Sequence, residues 1–231
     1  MTICQAFYRR LIVSCQAREG EPFRDPESMA KFALSAVAGG AAAIRARGPE
    51  DIRAIRKVVG VPIIGIRKQI QDDGEILITP TFESARELVE AGAGLIAMDV
   101  TCRGQRYGAL ERLRRIGREL QVPVLADIAT VEEALAAADA GADFVLSTMR
   151  GYTSDTAAVC SFDLPFIREL VRRSPVPVIA EGKIESPYEA RAALEAGAYA
   201  VVVGSAITRP ITIARRFADA VASAEVRESN R

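Results

Sequence analysis

The stretch VPVIAEGK, residues 176–183, runs from a proline through three apolar residues into a glutamate, a glycine and a lysine. Two other stretches begin in the same way, VPIIGIRK at 61–68 and VPVLADI at 122–128. Proline is tolerated where a strand begins, because its missing N–H lies outside the hydrogen-bonded ladder. Each stretch therefore predicts a short buried strand that ends in polar residues.

Four more strands are predicted where an alanine-rich helix stops at a glycine, the residue that helix ends prefer. These entrances are AGGAAAIRA at 38–46, EAGAGLIAMD at 90–99, DAGADFVLST at 139–148 and EAGAYAVVVGS at 195–205. Adding RLIVSCQ at 10–16 gives eight strands, and the two kinds of entrance alternate after the first. Such regularity is typical of a repeated βα unit.

Amphipathic helical stretches lie between the strands, for example at 26–37, 82–91, 109–120 and 130–140. Apolar strands that alternate with helices indicate a parallel sheet covered by helices. Eight such units in 231 residues predict a (β/α)8 TIM barrel of the α/β class, a single domain over 1–231. Residues 1–10 are expected to be an N-terminal segment and 224–231 a frayed tail. The alternative, a doubly wound open sheet, lacks its GxGxxG after the first strand.

Composition limits the partners. The 30 basic and 30 acidic side chains cancel, so no net field favours nucleic acid or an anionic membrane. The four cysteines are widely spaced and histidine is absent, which argues against a zinc site and for reduced thiols. Apolar runs fall short of the roughly 18 residues of a membrane span, and the N-terminus lacks the features of a secretory signal. We expect a cytoplasmic protein that needs neither metal nor cofactor.

Polar residues stand where the predicted strands end, on the face of a barrel at which active sites lie. At any one position, a charged residue is equally compatible with a solvated strand exit or a helix cap. As a set, they predict a site at the mouth of the barrel. The strand-end residues are Gln16, Arg45, Lys68, Asp99, Asp127, Thr148, Glu181, Gly204 and Ser205.

Two loops near the end of the chain favour a phosphate site. In phosphate-binding barrels this site is formed by the loops after strands seven and eight, together with the start of a short helix. Here those loops offer Gly182, Gly204 and Ser205 for close backbone approach, and Lys183 and Arg209 for charge. The alternative is a pair of ordinary glycine turns.

The loop after the third strand carries an additional segment, GEILITPT at 74–81. We expect this segment to be extended and to overhang the pocket, because insertions in βα loops lie on the active face.

Acid–base chemistry near pH 7 must use Lys, Glu, Asp, Cys or Tyr with a shifted pKa, because the chain has no histidine. Lys68 is the candidate base. Desolvation in a barrel mouth lowers a lysine pKa, whereas a nearby Glu181 would raise it. Strand alternation places Arg67 and Lys68 on opposite sides, so one of them faces inward. The alternative for Lys68 is a lysine that covers the barrel rim.

Seven motifs, in order along residues 11–220, together resemble the N-acetylmannosamine-6-phosphate 2-epimerases. The resemblance implies a barrel of the ribulose-phosphate-binding type that interconverts N-acetylmannosamine 6-phosphate and N-acetylglucosamine 6-phosphate in sialic acid catabolism, as an N-acylglucosamine-6-phosphate 2-epimerase. It also implies a homodimer. The motifs are LIVSCQA (11–17), GIRKQ with ITPT (65–69 and 78–81), MDVT (98–101), LADIAT (125–130), GYT (151–153), VIAEGKI (178–184) and VVVGSAITRP (201–210).

The same resemblance implies the roles of individual residues. Lys68 is similar in position to the family's acid–base lysine, and Glu181 to a glutamate that assists catalysis. Contacts to the sugar phosphate are implied for Gln16, Arg45, Asp127 and Arg209. The chain departs from the family's usual residues around Lys68 and at Arg47 and Arg150, which leaves the sugar specificity open.

Two other functions fit the same residues. One is another phosphate-binding barrel enzyme, either a Schiff-base aldolase that uses Lys68 or a synthase that acts on a phosphorylated heterocycle. The other is a barrel that binds a phosphosugar without catalysis.

Overall fold

Ten β-strands and ten α-helices follow one another in the computed structural model, which describes residues 3–71 and 74–224. The strands are β1 (Leu11–Cys15), β2 (Ala43–Arg47), β3 (Ile63–Ile66), β4 (Lys68–Ile70), β5 (Ile76–Ile78), β6 (Leu95–Asp99), β7 (Val124–Asp127), β8 (Phe144–Leu146), β9 (Val178–Glu181) and β10 (Ala200–Val203). The helices are α1 (Pro26–Ala38), α2 (Gly48–Arg56), α3 (Phe82–Glu90), α4 (Cys102–Arg106), α5 (Ala109–Leu120), α6 (Val131–Asp139), α7 (Leu164–Arg173), α8 (Pro187–Glu195), α9 (Ser205–Thr208) and α10 (Pro210–Ala222). Residues 1–2 of the predicted N-terminal segment and 225–231 of the predicted tail lie outside the described residues.

Eight of the strands form a closed parallel barrel in the order β1, β2, β3, β6, β7, β8, β9, β10. This confirms the predicted (β/α)8 barrel. Because all eight strands run in the same direction, their C-terminal ends meet at one mouth. In this ring β3 and β9 stand four places apart, so residues at their ends face one another across the mouth.

Aliphatic side chains from alternate strand positions, such as Ile64, fill the lumen of the barrel. Phe7 closes its lower end from a short 3-10 helix (Cys4–Phe7) ahead of β1. The Phe7 ring lies 5.8 Å from that of Phe144 and 6.0 Å from that of Tyr199, measured between centroids. The N-terminal segment is therefore the floor of the barrel.

A second core lies between the strands and the surrounding helices. Several of these helices are capped by a hydroxyl residue, and the predicted helices at 82–91 and 130–140 begin next to or at two of these caps. Thr81, Thr130 and Ser186 each accept a hydrogen bond from the backbone amide three residues further on. Such caps satisfy an amide that has no acceptor within the helix, and they fix where each βα loop ends.

The third barrel strand ends at Ile66, earlier than predicted, and Lys68 begins a separate two-stranded antiparallel hairpin of β4 and β5. The expectation that residues 74–81 contain an extended piece is confirmed by β5. Lys68 is thus carried by the hairpin and not by the barrel itself.

Thr79 explains why the chain leaves the barrel here. Its amide donates to the carbonyl of Arg67 at 2.6 Å, and its Oγ1 accepts from the amide of Arg67 at 3.1 Å. The same Oγ1 donates to the carbonyl of Ala97 on β6 at 2.7 Å. Arg67 therefore bonds to the returning chain of the hairpin, while Thr79 fastens that chain to the barrel.

The last helix, α10, contributes no buried residue, and Phe217 on it is 70% exposed. Within the described part of the chain, no helix combines the length and apolar character required to cross a lipid bilayer.

Candidate active site

Arg45 on β2 is the centre of the mouth. Its side chain is only 1% exposed. One terminal nitrogen donates to Asp127 Oδ2 on β7 at 2.7 Å, and the other donates to Glu181 Oε2 on β9 and to Thr148 Oγ1 at 3.1 Å. Thr148 in turn donates to the second oxygen of Asp127. One guanidinium is therefore shared by two carboxylates from distant strands.

The charges of this cluster depend on one another. Burial raises the pKa of Asp127 and the Arg45 guanidinium opposes that rise. Burial alone would lower the pKa of Arg45, but the carboxylates of Asp127 and Glu181 outweigh it and raise that pKa. Arg45 is therefore permanently charged and can stabilise negative charge that develops nearby.

The backbone of Glu181 is held in place by Ser147. The Ser147 hydroxyl accepts from the Glu181 amide at 3.0 Å and donates to the Glu181 carbonyl at 2.8 Å. The next residue, Gly182, has φ +104, and a β-carbon there would lie 3.4 Å from the carbonyl oxygens of Ser147 and Thr148. Glycine suits this position because its backbone adopts positive φ without strain.

Lys68 points into the same mouth. The surrounding protein desolvates its ammonium and, with the charges of Arg45 and Arg47, lowers the Lys68 pKa to about 8, although Glu181 and Asp127 oppose the shift. The side chain is nevertheless exposed to water. Both observations hold because the mouth is concave and open, so protein atoms crowd a lysine that solvent still reaches. Desolvation is the largest effect on the Lys68 pKa, because the two arginines lower that pKa while the two carboxylates raise it.

Arg67, the neighbour of Lys68, forms an ion pair with Glu87 on α3. It therefore faces the helical layer, as alternation along the chain predicts when Lys68 faces inward.

The predicted phosphate loops lie beside each other at the ends of β9 and β10. Helix α9 begins at Ser205, directly after Gly204, and Thr208 at its end donates to the carbonyl of Ser14 on β1 at 2.8 Å. Lys183 has φ +56, and its ammonium lies 4.0 Å from the centre of the Tyr152 ring. The structure thus brings the two loops together, and the Lys183 ammonium contacts the face of the Tyr152 ring.

Arg209 is bonded to Glu21, a residue of the β1–α1 loop that the sequence did not single out. The Arg209 Nε lies 3.1 Å from Glu21 Oε1, and a terminal nitrogen bonds to the same oxygen. The hydrogen bond from Arg209 lowers the pKa of Glu21, which therefore stays ionised. A cavity of about 40 Å³ lies beside this ion pair.

Gln16 offers an acceptor to the mouth. Its Nε2 donates to Ser14 Oγ at 2.8 Å. Its Oε1 is buried and has no hydrogen-bond partner among residues 3–71 and 74–224. A buried polar atom without a partner is costly, so this oxygen is suited to accept from a ligand.

The family model described as "NanE: Putative N-acetylmannosamine-6-phosphate epimerase" matches residues 29–223. The chain belongs to the NanE family. It is 48% identical over 221 residues to a protein of Caldanaerobacter subterraneus subsp. tengcongensis, covering 94% of this chain and 93% of that one. A protein of Cutibacterium acnes is 46% identical, with 91% and 93% covered. Both are named "Putative N-acetylmannosamine-6-phosphate 2-epimerase".

A solved structure of the N-acetylmannosamine-6-phosphate 2-epimerase from Clostridium perfringens superimposes on the chain with a TM-score of 0.89 and 40% identity. The match covers 95% of this chain and 96% of that one. The resemblance predicted from the sequence motifs is therefore confirmed. A thiamine phosphate pyrophosphorylase from Pyrococcus furiosus, 18% identical with a TM-score of 0.61, shares the fold alone.

Arg150 and Arg47, at which the sequence resemblance implied departures from the family's usual residues, occupy different environments. Arg150 bonds to Asp163 at 3.0 Å and lies 4.3 Å above the ring of Phe166, so it is engaged outside the charge cluster of the mouth. Arg47 is half-buried, has no ion-pair partner within the described residues, and lies close enough to Lys68 to lower its pKa.

Asp99, another predicted strand-end residue, is occupied by local bonds. Its carboxylate accepts from the Thr101 amide at 2.9 Å and from Arg103 at 3.4 Å.

Cys15 lies near the same face but is buried, and burial raises the pKa of its thiol to about 12. That thiol stays protonated near neutral pH, which argues against a role as nucleophile.

Proposed function

We propose that this chain epimerises C2 of N-acetylmannosamine 6-phosphate to give N-acetylglucosamine 6-phosphate, as part of amino sugar and sialic acid catabolism. Membership of the NanE family supports the substrate and the reaction. The observation that carries the mechanism is the meeting of Lys68, with its lowered pKa, and the Arg45–Glu181–Asp127 cluster at one mouth.

Epimerisation at C2 removes a proton next to the C1 aldehyde of the open-chain sugar and returns a proton to the opposite face. The neutral amine of Lys68 takes the proton from C2 and the electron pair moves onto the C1 oxygen as an enolate. The enolate then turns its other face to Lys68 by rotation about the C2–C3 bond. The resulting ammonium of Lys68 returns a proton to that face and so inverts C2. We assign Arg45 the through-space stabilisation of the enolate, because its positive charge is fixed close enough to Lys68 to act on that lysine.

Glu181 lies on the strand opposite to the one that precedes Lys68. We assign it the orientation of the substrate or the handling of the ring-opening hydroxyl proton. Gln16 and Asp127 are assigned to the sugar, since Gln16 Oε1 is an open acceptor. No metal or cofactor is needed for this scheme.

The phosphate is assigned to the backbone of Gly182, Gly204 and Ser205, with charge from Lys183 and Arg209. The start of α9 supports this assignment, because the first amides of a helix have no acceptor within it. A phosphate dianion would then share Arg209 with Glu21.

The test of the mechanism is hydrogen exchange at C2 in heavy water, followed by proton NMR. We expect Lys68→Ala to abolish exchange and to retain binding of the phosphosugar, while Lys57→Ala, an exposed lysine on the helical side, behaves as wild type. Retained exchange in Lys68→Ala would remove this lysine from the mechanism. A barrel that only binds would leave C2 unlabelled in the wild-type protein.

A lysine with a lowered pKa is also what a Schiff-base aldolase requires. Borohydride added with substrate separates the two reactions. We expect no covalent adduct on Lys68, and an adduct would favour the aldolase.

The phosphate assignment has its own test. Arg209→Ala should weaken binding of the 6-phosphate sugar by about 10- to 100-fold, as expected for a charge-assisted hydrogen bond of about 1.5–3 kcal/mol. Binding of the unphosphorylated sugar should change little. Arg118→Ala is the matched control, because Arg118 lies on the exposed side of α5 and pairs with Glu119 at 3.3 Å. Equal losses for both sugars would refute the assignment.

We also propose that the chain forms a homodimer in the cytoplasm. The exposed apolar residues of α10, among them Phe217 and Val221 at 70% and 74% exposure, supply a surface that a second copy would cover. Free thiols at all four cysteines suit a reducing compartment. Light scattering should give twice the chain mass for the wild type and a lower mass for Phe217→Asp; a monomeric wild type would contradict the proposal.

A further inference from the structure

The hairpin that carries Lys68 has two different faces. In its register Lys68 lies opposite Ile78, and Ile70 lies opposite Ile76. Directly opposed residues of an antiparallel pair share a face, and residues two apart along a strand do so as well. Lys68, Ile70, Ile76 and Ile78 therefore form one face, here named the Lys68 face.

The Lys68 face runs from the inside of the barrel out over its mouth. Ile78 is 4% exposed and packs among the residues of the lumen. Ile70 and Ile76 lie further out, at 75% and 50% exposure. Leu77 lies on the other face and is completely buried, so that face of the hairpin packs against the rest of the protein. Two aliphatic side chains are thus presented to solvent beside the lysine of the active site.

The hairpin is fastened at both ends of β5. Thr79 bonds it to Arg67 and to the barrel, as described above. At the other end, the Glu75 carboxylate accepts from Arg103 of α4 at 2.7 Å, and Arg103 also contacts Asp99 at 3.4 Å. The two exposed isoleucines are therefore held over the mouth by bonds that do not involve them.

We infer that Ile70 and Ile76 form an apolar wall that packs against the acyl group on the sugar nitrogen and thereby determines which acyl groups the enzyme accepts. This inference rests on the proposed function. A phosphorylated amino sugar is hydroxylated along its length, and its acyl group is the one apolar appendage. That group is attached to C2, the carbon from which Lys68 takes the proton.

The distances agree with this placement. The acyl methyl lies about 4 Å from C2 when the C–N and C–C bond lengths are added. Residues two apart on a strand are separated by about 6.7 Å, so Ile70 is the next side chain beyond Lys68 on this face, and Ile76 lies opposite Ile70. An exposed apolar pair at a mouth is explained when a ligand covers it.

Kinetics with an acyl series test the wall. Ile70→Ala and Ile76→Ala should each raise KM for N-acetylmannosamine 6-phosphate about three- to tenfold, because each removes the methylene contacts of one side chain. Preference for the N-acetyl over the N-propanoyl substrate should fall about fourfold, since the space gained fits one more methylene. Leu34→Ala, at an exposed aliphatic residue of α1, is the matched control and should change neither value. An unchanged acyl preference in both hairpin variants would overturn the inference.

A binding measurement keeps the inference separate from the proposed reaction. The chain has no tryptophan, so Ile70→Trp introduces a single tryptophan at the wall, which can be excited selectively at wavelengths that tyrosine does not absorb. N-acetylmannosamine 6-phosphate should shift its emission to the blue, and mannosamine 6-phosphate, which lacks the acyl group, should shift it less. Leu34→Trp should respond to neither. Equal shifts with both sugars would overturn the inference, whereas absence of turnover by the wild type would refute only the proposed reaction.

Discussion

The lowered pKa of Lys68 predicts a specific pH dependence. With a pKa of about 8, roughly a tenth of the lysine is neutral at pH 7, about half at pH 8 and about nine tenths at pH 9. An ordinary lysine, with a pKa of about 10.4, would be neutral in roughly 0.04% of molecules at pH 7, some 200-fold less. Because the base form is the active one, kcat/KM should rise about tenfold per pH unit up to pH 7 and level off above pH 9.

The assay is initial-rate proton NMR of N-acetylmannosamine 6-phosphate between pH 6.5 and 10, a range chosen because the substrate phosphate itself titrates near pH 6. Arg47→Gln serves as the second arm. The Arg47 charge contributes to the lowered pKa of Lys68, so removing it should move the midpoint of the profile to higher pH. A rate that still climbs tenfold per unit between pH 9 and 10 would refute the reasoning, and so would a profile that is flat from pH 6.5 to 9.

Two further predictions concern stability. Arg45→Ala leaves its two carboxylate partners without a counter-charge in the protein interior and should cost about 3–5 kcal/mol of unfolding free energy in urea denaturation, whereas Arg67→Ala at a partly exposed pair should cost less than about 1 kcal/mol. Similar losses in both variants would contradict the central role of the buried cluster. Gly151→Ala places a β-carbon 2.2 Å from a carbonyl oxygen, while Gly141→Ala, at a similar positive φ, meets no atom within 4 Å. The first should therefore be less stable than the second by about 1–3 kcal/mol in thermal unfolding, and equal stability would argue against the crowding.

The barrel could be predicted because the start of each strand is marked by sequence signals that lie close to it. The prolines at 62, 123 and 177 and the glycines that end the helices mark where the strands begin, and those signals need only a few neighbouring residues. The same holds for hydroxyl caps such as Thr130, which set the start of a helix. The regular repeat of these βα units then gave a count of eight strands, which is the number in a closed (β/α)8 barrel.

The site was only partly predictable, because its contacts join distant parts of the chain. Arg45 could be placed at a strand end, but its bonds to Asp127 and Glu181 follow from the closure of the barrel. Lys68 was placed one structural element too early, since the bonds of Thr79 that divert the chain are not visible in a strand pattern. Ser147, which holds the backbone of Glu181, resembles any other serine in sequence.

Glu21 was missed for a different reason. It lies in a polar loop, where an acidic residue forms no distinctive pattern. Its partner Arg209 is 188 residues away in sequence and meets it only in the folded barrel. The ligand contacts of Gln16, Lys183, Gly204 and Arg209 stay predictions.

The floor of the barrel has a consequence for how the protein is made. The amide of Arg9 bonds to the carbonyl of Tyr199 at 2.6 Å, and Leu11 at the start of β1 pairs with Val201. Among the eight barrel strands, β1 is thus synthesised first and pairs with β10, which is synthesised last. Until the chain has been synthesised as far as β10, one edge of β1 has no native strand to pair with. Nascent chains that stop before β10 should therefore be held by chaperones through this early segment.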